Sequence, residues 1–471
     1  MTPFRISLLL LTVLFVALLA LPAAASVDYF LDSLPSSPLV DPGEHMNLRI
    51  AVVSVCCRTN DPTDAVVTIP LPPGSTNISA PGQFGGWNCD VAGTTVTCKT
   101  FLAPNGPYPG IVVDFNAPSS TDGLSYTAKA TLTTTAPDDT LSNNTADIHV
   151  NVNRILAVTN ANDFGAGSLR DTIAHANDVC DLTVACKMTF AAPMKIEPRS
   201  QLPAITACSI MIDGGVAGDA SQDQERPVEI SGANAGFANG LEVRSWCGVT
   251  LRGLTINGFG ANGVVLAAPK QPSNFGQATL TVQSCFIGTD TKATEARPNG
   301  MRGIAVETPF TIANVTNSTI SGNRYSGIAV WAAYLFRSTG CRIGAGRDLR
   351  ALGNGASGVF LDGGWATVDG VIAYNRDFGV AVGPHATHAD VVPAGFFANG
   401  AFDIDWGLDG PTHTDSTGRM PVVPVLIDAA YGPLDNSTVV RGVLPPTVRP
   451  DGSYDSLYAV RLFQVTPAGY V

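Results

Sequence analysis

Charge is what this chain has least of. Asp, Glu, Lys and Arg together make up 14% of 471 residues, which argues against a long, solvent-laced helical protein. The 48 Gly and 33 Pro point to a turn-rich, mostly β chain instead. Cations are the scarcer sign, 27 Lys and Arg against 39 Asp and Glu, and the net charge of −12 argues against nucleic acid or an anionic membrane as partner. Beyond the first 25 residues, no apolar run is long enough to span a bilayer. No Ser-His-Asp motif, phosphate loop or Cys-x-x-Cys metal site is present, and the sequence asks for no cofactor.

What is present begins with an export signal. Arg5, the apolar stretch Leu8 to Leu21 and the small residues Ala23-Ala24-Ala25 read as a cleaved signal peptide over 1–25. The expectation is a protein secreted or held at the cell surface, with no membrane span after cleavage. Disulfides are permitted there. Cys89 and Cys98 flank a hairpin turn, Cys180 and Cys186 close a short loop, and Cys208 and Cys247 precede similar strands, so these are the candidate pairs. Cys56 and Cys57 are adjacent and bridge each other only with strain. Cys285 and Cys341 fall about two rungs, roughly 10 Å, apart in the repeat described next, too far to bond.

A spaced pattern recurs between about residues 254 and 406: aliphatic, two residues, Asn, three residues, Gly, then aliphatic-x-aliphatic. Ile320, Asn323, Gly327, Ile328 and Val330 form one copy, and Ile372, Asn375, Gly379, Val380 and Val382 another. The anchors fall at Gly240, Gly263, Gly303, Gly327, Gly358, Gly379 and, with a substitution, Asp403. A basic period of about 21–24 residues with occasional insertions means stacked coils. It is too short for βαβ units or propeller blades, and the copies lack the Leu-rich spacing of leucine-rich repeats. Period two puts Leu241, Val264, Ile304, Ile328, Val359 and Val380 on one inward ladder, with Val243, Leu266, Val306, Val330, Leu361 and Val382 beside it. Gly and Asn both tolerate positive φ, so they read as turn residues, and stacked Asn amides can bond from rung to rung.

Residues 27–153 read as short strands between Pro and Gly turns, among them Ile111 to Phe115 and Ala146 to Val152, which suggests a β-sandwich. Gly86-Trp87-Asn88-Cys89, Val96-Thr97-Cys98, Leu102-Ala103-Pro104 and Asn143-Asn144-Thr145-Ala146 resemble the Ig-like repeat domain of bacterial surface and secreted proteins. That resemblance implies a spacer or stalk. Ser168 to Asn177 then reads as a short helix, N-capped by Ser168, that closes the first coil. The stretch Asn160 to Asn177, with Met188-Thr189-Phe190, Leu202-Pro203-Ala204-Ile205-Thr206 and Ile210-Met211-Ile212-Asp213-Gly214, resembles the entry segment of secreted bacterial right-handed parallel β-helix proteins. Thr172 stands where that family usually has Ala. The expected fold is therefore all-β: an Ig-like sandwich over 27–153, a parallel β-helix over 154–407 with its cap helix at about 168–177, and a short antiparallel module over 408–471. By the same resemblance the module is cut short, since the family's sandwich normally continues.

Two insertions, after Ile287 and after Ile343, leave the coils at the same turn and should build one wall. Family catalytic sets are missing. Resemblance to a polygalacturonase would require an Asn-Thr-Asp, Asp-Asp, Arg-x-Lys constellation. An alginate epimerase would show Asp-Pro-His-Asp, where this chain has Gly383-Pro384-His385-Ala386. Counting four residues past each anchor gives one outward set, Glu307, Trp331 and Asp362, on adjacent rungs about 4.8 Å apart. A Trp between carboxylates is suited to stacking on a sugar, so these three are the candidate glycan-binding residues. His385-x-x-His388-x-Asp390 is a looser metal candidate that reads better as solvated loop. Asp403, Asp405 and Asp409 are weak candidates for a structural calcium at the domain junction. The leading expectation is a non-catalytic extracellular scaffold that binds a polysaccharide or another cell-surface component; the rival is a polysaccharide lyase, hydrolase or epimerase.

Overall fold

The structure is a computed structural model that describes residues 28–33, 39–54, 63–81, 86–102, 110–135, 138, 140–269, 277–392, 394–408, 425–432, 437–443, 465–466 and 469–470. The signal-peptide stretch, Cys56, Cys57, Asp409 and most of 408–471 lie outside the described residues. The chain is all-β apart from one α-helix and two short 3-10 turns among the described residues. It divides into two compact units, 1–155 with 183–185, and 156–182 with 186–471.

The first unit holds two sheets. Tyr29–Ser33, His45–Ser54, Ile111–Asn116 and Thr76–Ser79 pair antiparallel, in that order. Asn88–Ala92, Thr95–Leu102, Thr63–Pro70, Asp122–Thr134 and Thr145–Val158 form the other, with Leu39–Val40 added in parallel at its edge. Alternation explains the arrangement. In Ile111–Asn116, Ile111, Val113 and Phe115 are buried while their neighbours are half-exposed, and they share one core with Val67, Val96, Trp87 and Ile148. Cys89 and Cys98 face each other across the hairpin and are bonded, Cα to Cα 4.0 Å.

The second unit is built from parallel strands that recur once per coil. Seven short strands stack in sequence order: Leu241–Val243, Val264–Leu266, Ile304–Val306, Ile328–Val330, Val359–Leu361, Val380–Val382 and Ile404–Trp406. A second parallel stack runs from Cys186–Phe190 through Ile210–Asp213, Gly248–Arg252, Ala278–Gln283 and Thr311–Thr316 to the long strands Leu335–Ile343 and Gly364–Ala373, then Ala386–Val391. A third links Met194–Ile196, Val228–Ser231, Leu254–Asn257, Phe286–Ile287 and Thr319–Ile320, then joins the far ends of the two long strands and reaches Gly395–Phe397. This arrangement is compatible with a parallel β-helix. The two inward ladders are almost wholly buried and belong to one continuous core. Parallel partners lie about 4.8 Å apart, so each ladder is an unbroken apolar column.

The recurring Asn residues hold the column together at one corner. The side-chain amide of Asn299 donates to Asn323 Oδ1 at 3.0 Å, Asn323 to Asn354 at 3.0 Å, Asn354 to Asn375 at 2.9 Å and Asn375 to Asn399 at 3.0 Å. Each amide also donates to an Ile carbonyl of its own or a neighbouring coil, as Asn354 does to Ile320 at 3.0 Å. The oxygens of Asn299, Asn354, Asn375 and Asn399 further accept a backbone N–H from the coil before, as Asn354 Oδ1 does from Asn323 at 3.1 Å. The anchor glycines answer to space rather than to φ, contrary to the turn reading above. None of Gly240, Gly263, Gly303, Gly327, Gly358 and Gly379 has positive φ. A Cβ on Gly358 would stand 2.7 Å from both the Asn375 amide nitrogen and the Gly379 carbonyl oxygen. The repeat requires glycine because the next coil's Asn occupies the side chain's place.

Helix α1 (Leu169–Val179) covers one end of the stack. Ser168 accepts from Asp171 N–H at 3.2 Å, and Leu169, Thr172, Ile173 and Ala176 face the core. Thr172 fits there because its hydroxyl donates to the Ser168 carbonyl at 2.8 Å. Cys180–Cys186 and Cys208–Cys247 are bonded, whereas Cys285 and Cys341 are free and buried. Within 408–471, Val425–Gly432 pairs antiparallel with Ser437–Val443.

Candidate functional site

The outer face of the seven-stranded sheet carries the candidate residues. Register fixes their alignment: Val306, Val330 and Leu361 are direct partners, so the next residues, Glu307, Trp331 and Asp362, occupy one position on three consecutive rungs. Backbone bonds extend the pairing to that position, from Trp331 N–H to Val306 O at 3.0 Å and from Asp362 N–H to Val330 O at 2.7 Å. Between them and the inward ladder lie Ala305 and Ala329. Both alternate outward yet are essentially fully buried, at 0% and 1% exposure. Small residues leave room for larger side chains to lie across the sheet, and two do.

Those two are Trp331 and Arg302. The Arg302 guanidinium sits 4.2 Å from the Trp331 ring centroid, and the ring of Phe360 approaches at 6.2 Å, tilted by 53°. Arg302 also lies 6.0 Å from the Tyr325 ring. Burial pulls the Arg302 guanidinium below its ordinary pKa, and the charge of Glu307 opposes that pull. A cation over an indole face is held by the ring quadrupole, more strongly when partly desolvated. Trp331 is thus half-buried, with one face already taken, rather than an open platform. Arg302 escaped the sequence reading because it stands before the anchor, five residues from the counted position, and meets Trp331 only in space.

Asp362 is engaged as well. It accepts from the backbone N–H of His385 at 3.1 Å, and its two oxygens lie 3.0 and 3.2 Å from His385 Nδ1. The His385 ring is otherwise mostly exposed, at 77%, against 23% for the Asp362 side chain. Gly383 sits one rung on from Asp362, where any side chain would collide with that carboxylate. The sequence offered Asp362 and His385 separately; their meeting depends on a turn that spacing does not describe. Of the three candidates, only Glu307 is exposed, and its side chain makes no hydrogen bond or ion pair among the described residues.

The acidic exit divides differently. Asp403 accepts the last amide of the ladder, from Asn399 at 2.9 Å. Asp405 is buried on its strand, at 3% exposure. Calcium takes about six to eight oxygens. Asp403 is committed to Asn399, and no cluster of three His, Cys, Asp or Glu side chains suited to a metal occurs among the described residues. Asp409, the third residue of that candidate set, lies outside the described residues. His388 lies against Trp365, with ring centroids 4.9 Å apart and planes tilted by 34°.

The two insertions do meet, through Arg347 N–H to Ala293 O at 2.7 Å and Arg350 Nη1 to Thr294 O at 3.2 Å. Both precede the short strands, on the Arg302 side, whereas Trp331 and Asp362 follow them. Nearby, Arg226 is fully buried over Phe286 at 4.2 Å and donates to the carbonyls of Ser221, Gln224 and Ser284, which marks it as a structural pin. Compared with family models, curated proteins and solved structures, the chain matches none.

Proposed function

We propose that this chain is a secreted or surface-associated binding scaffold: an Ig-like sandwich followed by a right-handed parallel β-helix, whose short-strand sheet engages extracellular glycans. The observation that carries the reading is the alignment of Glu307, Trp331 and Asp362 at one position on three consecutive rungs. A row of this kind presents hydrogen-bonding groups and an aromatic edge to an extended chain lying across the rungs. Arg302 fixes the indole's tilt before any ligand arrives, which lowers the ordering cost of binding. Three disulfides support an oxidising, extracellular setting, and the reading calls on no cofactor. A glycan array probed with wild type and with Trp331→Ala tests it. The variant should lose glycans that wild type retains, and equal retention would refute the site.

The His385–Asp362 pair favours a second reading, a polysaccharide-active enzyme. A carboxylate on Nδ1 orients an imidazole and leaves Nε2 to act as a base. Glu307 and Asp362 are two rungs apart, roughly 10 Å, which is at or beyond the spacing that admits an acid, a base and one water. The base would therefore be His385 rather than that carboxylate pair. Turnover of acidic polysaccharides, abolished by His385→Ala, would establish this reading over the scaffold.

A further inference from the structure

A second row of side chains lies on a different face and was not visible in the repeat. Three of the chain's most exposed aromatic rings stand on consecutive coils at the leading ends of the long-strand sheet. Phe310 immediately precedes Thr311–Thr316, Tyr334 immediately precedes Leu335–Ile343, and Trp365 lies in Gly364–Ala373; they are 65%, 56% and 55% exposed. Pairing places them on neighbouring rungs, since Tyr334 N–H donates to Thr311 O and Leu335 is the direct partner of Trp365. His388, the partner of Trp365 on the next rung, extends the row by stacking on the indole at 4.9 Å. Phe310 has φ of 61°, a left-handed conformation that bulky residues avoid, and the fold holds its ring in solvent despite that. Burying none of these rings, the molecule forgoes the hydrophobic gain each would bring.

Beside the aromatic row runs a polar one. Asn314, Arg337 and Thr367 are in register on the same three rungs, four residues past Phe310, three past Tyr334 and two past Trp365, so the aromatic row slants by one residue per rung. Arg337 is exposed, and its side chain makes no ion pair or hydrogen bond among the described residues. The carboxylate in that ladder, Asp390, is two rungs away, roughly 10 Å, and Asp369, two residues past Thr367 on the neighbouring strand, is about 8 Å away between backbones. Strand spacing puts Arg337 about 8 Å from Trp365 between backbones, within reach of one bound ring.

We propose that this face is a second carbohydrate site, and that it takes a polysaccharide of uronate residues. The inference rests on the glycan-binding reading of the molecule but not on the Trp331 face. A pyranose has an apolar CH face that stacks on an aromatic ring and a polar rim at right angles to it. Rings one rung apart, flanked by polar side chains two to four residues further along the strands, match both parts. An apolar protein partner would instead use a broad, charge-depleted patch. Arg337 selects the carboxylate, because a guanidinium pairs it bidentately and its side chain makes no ion pair among the described residues, with Asp369 included. The overall negative charge acts weakly beyond one Debye length, about 8 Å at physiological salt.

The test is affinity electrophoresis and calorimetry of the full chain with polygalacturonate and, separately, an unsubstituted glucan. Wild type should bind polygalacturonate more tightly than glucan. Trp365→Ala should weaken polygalacturonate binding at least tenfold, and Trp365→Phe should recover most of it. Arg337→Gln should weaken polygalacturonate alone and remove the preference over glucan. Trp331→Ala should leave this binding in place. Uronate binding that is lost with Trp331→Ala but unchanged in Trp365→Ala and Arg337→Gln would overturn this site while leaving the first one standing. Absence of binding to polygalacturonate would overturn this site and leave the Trp331 face to the glycan array.

Discussion

Asn354 shows how much one side chain does here. It donates to Asn375 and to Ile320 O and accepts from Asn323 through two bonds, all within the buried corner. Replacing it with Ala strands partners on both sides. An orphaned buried polar group costs about 1–3 kcal/mol, so Asn354→Ala should lower the melting temperature more than any exposed substitution on the same coil. Asp403 plays the complementary part. It stands where an anchor glycine would be, and its carboxylate receives the amide that the next Asn oxygen would otherwise take. No further coil follows among the described residues, so a side chain is tolerated at that position. Asp403→Asn should keep this bond and stay near wild-type stability, while Asp403→Ala should lose about 1 kcal/mol, both read by denaturant unfolding. Cys285 and Cys341 give a chemical check on burial. Desolvation pushes their thiols up to about 11 and about 12, so both are protonated at neutral pH and screened from reagents. Peptide-level mass spectrometry should find them unlabelled by iodoacetamide in the native protein and labelled in denaturant.

At the scale of elements, the cap helix and the first rungs carry the testable chemistry. Ser168 supplies the side-chain acceptor for α1, and Ser168→Ala should cost about 1 kcal/mol. Asp213, next to the cap, joins Lys187 at 3.2 Å and Arg252 at 3.1 Å. Burial raises its carboxyl, but the Arg252 hydrogen bond, the Gly215 N–H and the two cations outweigh burial and leave it below the usual range. A depressed folded pKa adds stability that is complete above the unfolded value, near 3.9, and is lost as pH falls through the folded one. Below about pH 4, wild type should therefore lose stability more steeply than Asp213→Asn, as followed by urea midpoints. The elements themselves were largely legible. Ser168 and its helix, the alternating strand Ile111–Asn116 and the inward ladder from Leu241 to Val382 all follow from periodicity, because burial writes directly onto a period of two or 3.6. The reason for the anchor glycines was not legible. Positive φ and lack of space both select glycine, and only the neighbouring coil tells them apart.

Across the whole molecule, the sequence repeat located rungs but not what crosses them. Counting from each anchor found Glu307, Trp331 and Asp362, since register preserves spacing from coil to coil. It missed Arg302, His385 and the row from Phe310 to His388, because those side chains lie outside the counted short strands, at positions the spacing from the anchors does not align. The chain thus carries two polar-aromatic faces, one half-covered by its own arginine and one open. The claim that this is a binding scaffold stands or falls on binding without turnover. Wild-type protein and Trp331→Ala should be applied in parallel to immobilised glycans, with the eluates analysed for cleaved or modified sugar. The account predicts that wild type retains a defined set of glycans, that Trp331→Ala loses part of it, and that no product appears. Equal retention by both proteins, or product released by wild type, would contradict it.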